Sequence, residues 1–126
     1  MTITLAIVAT IILAGLGIFQ LTLALGVPLG RYAWGGQHKG VLPAKLRIGS
    51  VISIILYALF AIVALDKAGA IDILNDGVVD LAMWVIAGYL FVGVVMNGIS
   101  RSKHERYTMT PIVTVLAVLF LAVALS

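Results

Sequence analysis

The chain has 126 residues, of which 63% are hydrophobic and only 10% charged, where an average globular chain has ~45–50% and ~25%. So few charges cannot cover a soluble domain. The net charge of +3 sits in short segments and offers no solvated basic face of the kind that grips nucleic acid. The absence of cysteine excludes disulfides and thiolate metal sites.

Four apolar stretches follow one another: Met1–Val27, Ile48–Leu65, Leu81–Ser100 and Tyr107–Ser126. Each approaches the ~20 residues that a helix needs to cross the ~30 Å hydrocarbon layer of a bilayer. Their apolar residues do not alternate with period two, as barrel strands would. The expected fold is all-α, a single integral-membrane four-helix bundle over residues 1–126, with spans at about 3–27, 48–65, 81–100 and 107–126. Short connections suit an up-and-down arrangement. The first stretch is too long for a secretory signal and no Lys or Arg precedes it, so it is expected to remain as a helix.

Seven of the eight Lys and Arg residues lie in the first and third connections or beside them: Arg31, Lys39, Lys45, Arg47, Arg101, Lys103 and Arg106. The second connection holds only Lys67, with the acids Asp66, Asp72, Asp76 and Asp80. Cationic loops stay in the cytoplasm. Loops one and three are therefore expected inside, and both termini outside (N-out/C-out).

The first loop carries the most information. Between Gly26 and Arg47 it holds five glycines (Gly26, Gly30, Gly35, Gly36, Gly40) and two prolines (Pro28, Pro43), a composition that fixes an irregular backbone. Tyr32 and Trp34 suit the membrane–water boundary. Arg31, Trp34, His38, Lys45 and Arg47, joined by Arg101 from loop three and Lys39 nearby, are candidate ligands for a phosphate or carboxylate, since Arg offers a bidentate fork. The plainer alternative is that these charges serve topology alone. The run Ala33-Trp34-Gly35-Gly36-Gln37-His38-Lys39-Gly40-Val41-Leu42-Pro43, then Leu46-Arg47 and Ser50, resembles a family of small bacterial four-helix inner-membrane proteins without an assigned activity. Asn97, Ser100-Arg101-Ser102 and Glu105-Arg106 fit the same resemblance. It implies a multi-pass protein of the bacterial cytoplasmic membrane and supplies no catalytic residue.

Polar residues inside the spans form a second signal. Ser50, Ser53 and Tyr57 share a face of the second helix with Arg47. Tyr89, Asn97 and Ser100 share one on the third with Gly93, and Gln20 sits on the first. Polar groups in hydrocarbon turn inward. These residues are expected either to hydrogen-bond between helices, as Gln20 with Asn97, or to line a cavity open to the cytoplasm. Ala6, Thr10 and Ala14 recur every fourth residue on the first helix, a spacing that admits a close neighbour helix in the bundle or in a second copy.

In the outer loop, Asp72, Asp76 and Asp80 alternate with Ile71, Leu74 and Val78 and suggest a short amphipathic surface helix. The acids match no calcium loop, and His38 with His104 makes a weak ligand pair, so no metal is assigned. No nucleophile–base motif, H-E-x-x-H helix or P-loop occurs, and no cofactor is implied. The expected function is non-enzymatic: binding of an anionic lipid headgroup, an anion or a protein partner at the cytoplasmic rim. The alternatives are a homo-oligomeric channel or small-solute transporter and, third, a membrane enzyme acting on a lipid-linked substrate. The expected partners are membrane lipids, a second copy or another membrane protein, and no nucleic acid.

Overall fold

A computed structural model describes all 126 residues as four α-helices without strands: α1 Thr2–Ala24, α2 Ala44–Lys67, α3 Asp76–Gly98 and α4 Lys103–Leu125. Each is long and apolar enough to cross a membrane, at a rise of 1.5 Å per residue giving about 35 Å.

The helix ends are set by backbone capping, and they differ from the apolar boundaries for that reason. α1 stops at Ala24 rather than at residue 27. The Val27 N–H donates to the Thr22 carbonyl and the Gly26 N–H to that of Leu23, the Schellman pattern, with Gly26 at φ +92° supplying the left-handed residue it needs. α2 starts at Ala44 because Pro43 is extended and cannot continue a helix backwards. Asn75 caps α3, accepting from the Gly77 N–H at 2.8 Å. Ser102 caps α4, accepting from the Glu105 N–H at 3.4 Å.

The second connection corrects one expectation: residues 70–75 form no surface helix. The nearly buried carboxylate of Asp66 accepts from the N–H groups of Ile73 and Leu74, each at 2.8 Å. These bonds tie the irregular segment to the end of α2, and Asn75 then opens α3. Asp76 and Asp80 therefore belong to α3, where Asp80 pairs with Lys67 at 2.7 Å.

α1 packs along α2 and α3 along α4, and these two hairpins meet through two thinner seams of similar extent, α1 with α4 and α2 with α3. The core sits in the half of the bundle nearest the second connection. There Ala6, Ala9 and Leu13 of α1 meet Met83, Ala87 and Leu90 of α3 and Leu116, Ala117 and Phe120 of α4. The close-approach face of α1 is thus Ala6, Ala9 and Leu13. Ala14 of the expected every-fourth-residue run is exposed, and the Thr10 hydroxyl bonds back to the Ala6 carbonyl at 2.8 Å. A smaller cluster of Leu23, Ala33 and Leu42 anchors the first loop. Between the two clusters, on the basic half, the helices part.

Candidate functional site

The first loop folds back on itself. The Gly30 N–H donates to the Gly40 carbonyl at 2.9 Å, closing the segment that holds Arg31, Trp34, His38 and Lys39. Inside it, Trp34, Gly35 and Gly36 all have positive φ, at +53°, +69° and +73°. For a residue as bulky as Trp this conformation is strained by about 1–3 kcal/mol and needs surrounding structure to hold it. Gly49 of α2 supplies that structure: a Cβ there would stand 2.8 Å from the indole ring, so the ring lies directly on the glycine.

The loop is also pinned to the third connection. Ser102 Oγ donates to the Arg31 carbonyl, and a Cβ at Gly36 would overlap that of Ser102. Gly36 is therefore required twice, by its φ and by the space it leaves. The Tyr32 ring stands edge-on to Phe19 at 6.5 Å and to His104 at 5.2 Å.

This junction gathers cations. Arg31 and Lys39 of loop one, with Arg101, Lys103 and His104 of the third segment, surround an open hollow of about 610 Å³ whose remaining lining is Gly36 and Ser102. No carboxylate lines it, and the chain's only ion pair lies at the opposite end. The Lys and Arg charges held together in this hollow repel one another, so an anion placed among them is stabilised by all four. Of the expected ligand set, Arg31 and Arg101 come together here. Lys39, Lys103 and His104 complete the hollow.

The other candidates go elsewhere. His38 and Lys45 do not line the hollow. Arg47 turns toward α1, where its Nε donates to the Ala24 carbonyl at 3.0 Å and its guanidinium fills the space beside Gly26. Trp34 faces a second space inside the bundle.

That second space is a cavity of about 430 Å³, within the ~300–1,000 Å³ range of small-molecule sites. Five of the seven expected polar residues line it: Gln20, Ser53, Tyr57, Tyr89 and Asn97. Ser50 and Ser100 do not. The expected bond between Gln20 and Asn97 is not formed, because Asn97 Nδ2 donates to the Gly93 carbonyl one turn back, at 2.8 Å. Ser50 and Ser53 likewise bond to the carbonyls of Leu46 and Gly49, and Ser100 accepts from the Ser102 N–H. Short polar side chains in helices satisfy themselves on the preceding turn. The one side-chain bond among the cavity's polar groups that joins two helices runs from Gln20 Nε2 to the Tyr57 hydroxyl, at 3.4 Å.

Two of its lining rings, Tyr57 and Tyr89, pack on Phe60 at 6.4 and 5.7 Å, and Phe60 in turn meets Phe120 at 6.4 Å. It reaches the surface, since its lining residues Trp34 and Gln37 of loop one and Tyr89 and Met96 of α3 are exposed. Tyr32, Ala33, Trp34, Gly35 and Gln37 of loop one line the part of it toward the basic end. Glu105 also lines it and was not foreseen. In the sequence it stands in the run Ser102-x-x-Glu105, which reads as helix initiation.

No three His, Cys, Asp or Glu side chains cluster in a way that could hold a metal. Compared with known proteins, the chain matches no family model, no curated protein and no solved structure.

Proposed function

We propose that this protein binds an anionic group, the phosphate of a membrane lipid, in the hollow of Arg31, Lys39, Arg101, Lys103 and His104, and that it does so without catalysing a reaction. The observation that carries this reading is the pinning of loop one to the third connection through Gly36, Ser102 and the Arg31 carbonyl. Orientation requires only that cations be present in both loops. It does not require a strained Trp, a left-handed Gly36 and a hydrogen bond between loops to bring the cations to one place.

In the same reading the basic end faces the cytoplasm of a bacterial cell and both termini lie outside, so the ligand is an inner-leaflet headgroup or a free phosphate-bearing molecule. The packed core around Phe120 and Met83 supports binding over conduction, since it leaves no polar path along the bundle from one end to the other.

The test is native mass spectrometry of the purified protein with phosphatidylglycerol, phosphatidylcholine and inorganic phosphate. The parent should retain phosphatidylglycerol in preference to phosphatidylcholine, and Arg31→Gln with Arg101→Gln should abolish the preference. Lys67→Gln, which removes a cation from the far end, should leave it unchanged. Retention of phosphate without lipid would assign the hollow to a soluble anion. Equal retention of both lipids with no bound phosphate would refute the reading.

A further inference from the structure

Glu105 belongs to the cavity and has no use in the anion hollow. It is 5% exposed, on the first turn of α4. Its backbone N–H is taken by Ser102 Oγ, but its carboxylate has no partner. In a reciprocal capping box the glutamate would return to the Ser102 N–H; here that N–H donates to Ser100 Oγ at 3.2 Å. No Lys, Arg or His pairs with Glu105, the sole ion pair being Lys67 with Asp80. The protein thus gives this carboxylate neither a donor nor a counter-charge and leaves it facing the cavity.

A second lining group also lacks a donor. Gln20 donates its Nε2 to Tyr57, but its Oε1 is buried with no donor. The cavity thus presents two acceptors that lack donors. Around them stand the rings of Tyr32, Trp34, Tyr57 and Tyr89, whose π faces attract cations. Acceptors, a lone carboxylate and aromatic walls together describe a receptor for a cation that carries N–H donors. Tyr89 and Met96 of its lining lie in the α3 span and are largely exposed, so the cavity borders the lipid-facing surface and the occupant also has an apolar tail.

We infer that the cavity binds the protonated amine of a membrane amphiphile, whose tail leaves past Tyr89 and Met96 of α3, with Glu105 as its counter-charge, Gln20 Oε1 as an N–H acceptor and Trp34 as an aromatic wall. The site is separate from the anion hollow and does not depend on it. An ethanolamine-headed lipid and a free long-chain amine present the same group, and the experiment distinguishes them.

The protein contains two tryptophans, Trp34 and Trp84; in a Trp84→Phe background the emission reports Trp34 alone. Dodecylamine, dodecanol and a short-chain phosphatidylethanolamine are titrated into the protein in neutral detergent at pH 7. Dodecylamine should give a saturable change in Trp34 emission, at concentrations at least ten times lower than dodecanol does. Glu105→Gln should raise the amine Kd about tenfold or more and leave dodecanol unaffected, while Glu105→Asp, which keeps the charge on a shorter arm, should fall between. The Gln side chain has the same shape and breaks no hydrogen bond, so the fold is expected to persist. Should it not, the amine-over-alcohol preference of the parent decides by itself. A phosphatidylethanolamine response that depends on Glu105 assigns the occupant to the lipid, and a response to dodecylamine alone assigns it to a free lipophilic amine. Equal binding of amine and alcohol by the parent, or an amine Kd unchanged in a folded Glu105→Gln variant, overturns the inference.

Discussion

Arg47, on the first turn of α2, donates its Nε to the carbonyl oxygen of Ala24 at 3.0 Å, at the last residue of α1. The end of a helix carries unpaired carbonyls and partial negative charge, so this cation satisfies one helix while it begins the next. Arg47→Ala should lower stability by about 1–2 kcal/mol, from the loss of one part-buried charge-assisted hydrogen bond. Arg47→Lys should lose less, because it keeps a cation near the end of α1 without the Nε donor. Thermal unfolding in detergent should rank the parent above Lys and Lys above Ala. Unchanged lipid retention in both variants is expected, since Arg47 does not line the hollow; loss of retention with unchanged melting would return Arg47 to the binding site.

Gly36 joins the two basic loops. Any Cβ there meets Ser102 and must adopt φ near +73°, a conformation that side chains other than glycine's rarely take. Gly36→Ala is therefore expected to part loop one from the third connection. Anionic-lipid preference should fall at least as far as with a single Arg→Gln change, although no charge is removed. Gly35→Ala tests the two constraints separately, because Gly35 also has positive φ but has open space at its Cβ position; its effect should be the smaller of the two.

Asp66 organises the opposite end. Its carboxylate holds the Ile73 and Leu74 N–H groups at a site only 8% exposed. Asp66→Ala leaves both donors without that partner and should destabilise the protein by about 2–3 kcal/mol. Hydrogen exchange should rise first at residues 71–75. Equal exchange in parent and variant would show that the segment holds its shape without the carboxylate.

Topology has a direct check because the chain lacks cysteine. Single cysteines at Lys39, Asp72 and Lys103 are exposed to a thiol reagent that cannot cross the membrane, in intact cells. With seven of eight cations at one end, only the Asp72 position should react. Reaction at Lys39 and Lys103 with protection at Asp72 would invert the orientation and place the basic hollow outside.

The number, type and order of the helices were legible in the sequence because uncharged length alone decides what crosses a bilayer. Their ends were less so. Hydropathy stops at the first charge, whereas the helix stops where Gly26, Pro43, Asn75 or Ser102 changes the backbone, which moved each boundary by several residues. Basic residues in loops one and three could be read as a set, but which of them converge depends on Gly36 and Ser102, whose contact spans two connections distant in the chain. Arg47 misled because an Arg beside a helix start has the same appearance whether it faces a ligand or the previous helix. Glu105 was overlooked for the converse reason. Ser102-x-x-Glu105 has the form of a capping box, and only the geometry reveals that the Ser102 N–H is already taken by Ser100, leaving the carboxylate to the cavity.

The most direct measurement of the central claim is electron spin resonance of chain-labelled lipids around the protein in phosphatidylcholine bilayers. It counts lipid held at the protein surface by headgroup type, without removing the bilayer. The account expects a labelled phosphatidic acid to associate several-fold more strongly than labelled phosphatidylcholine. The ratio should shrink with added salt, as charge attraction at an open site is screened, and should fall close to one in the Arg31→Gln, Arg101→Gln protein. A ratio of one in the parent protein at low salt would contradict it.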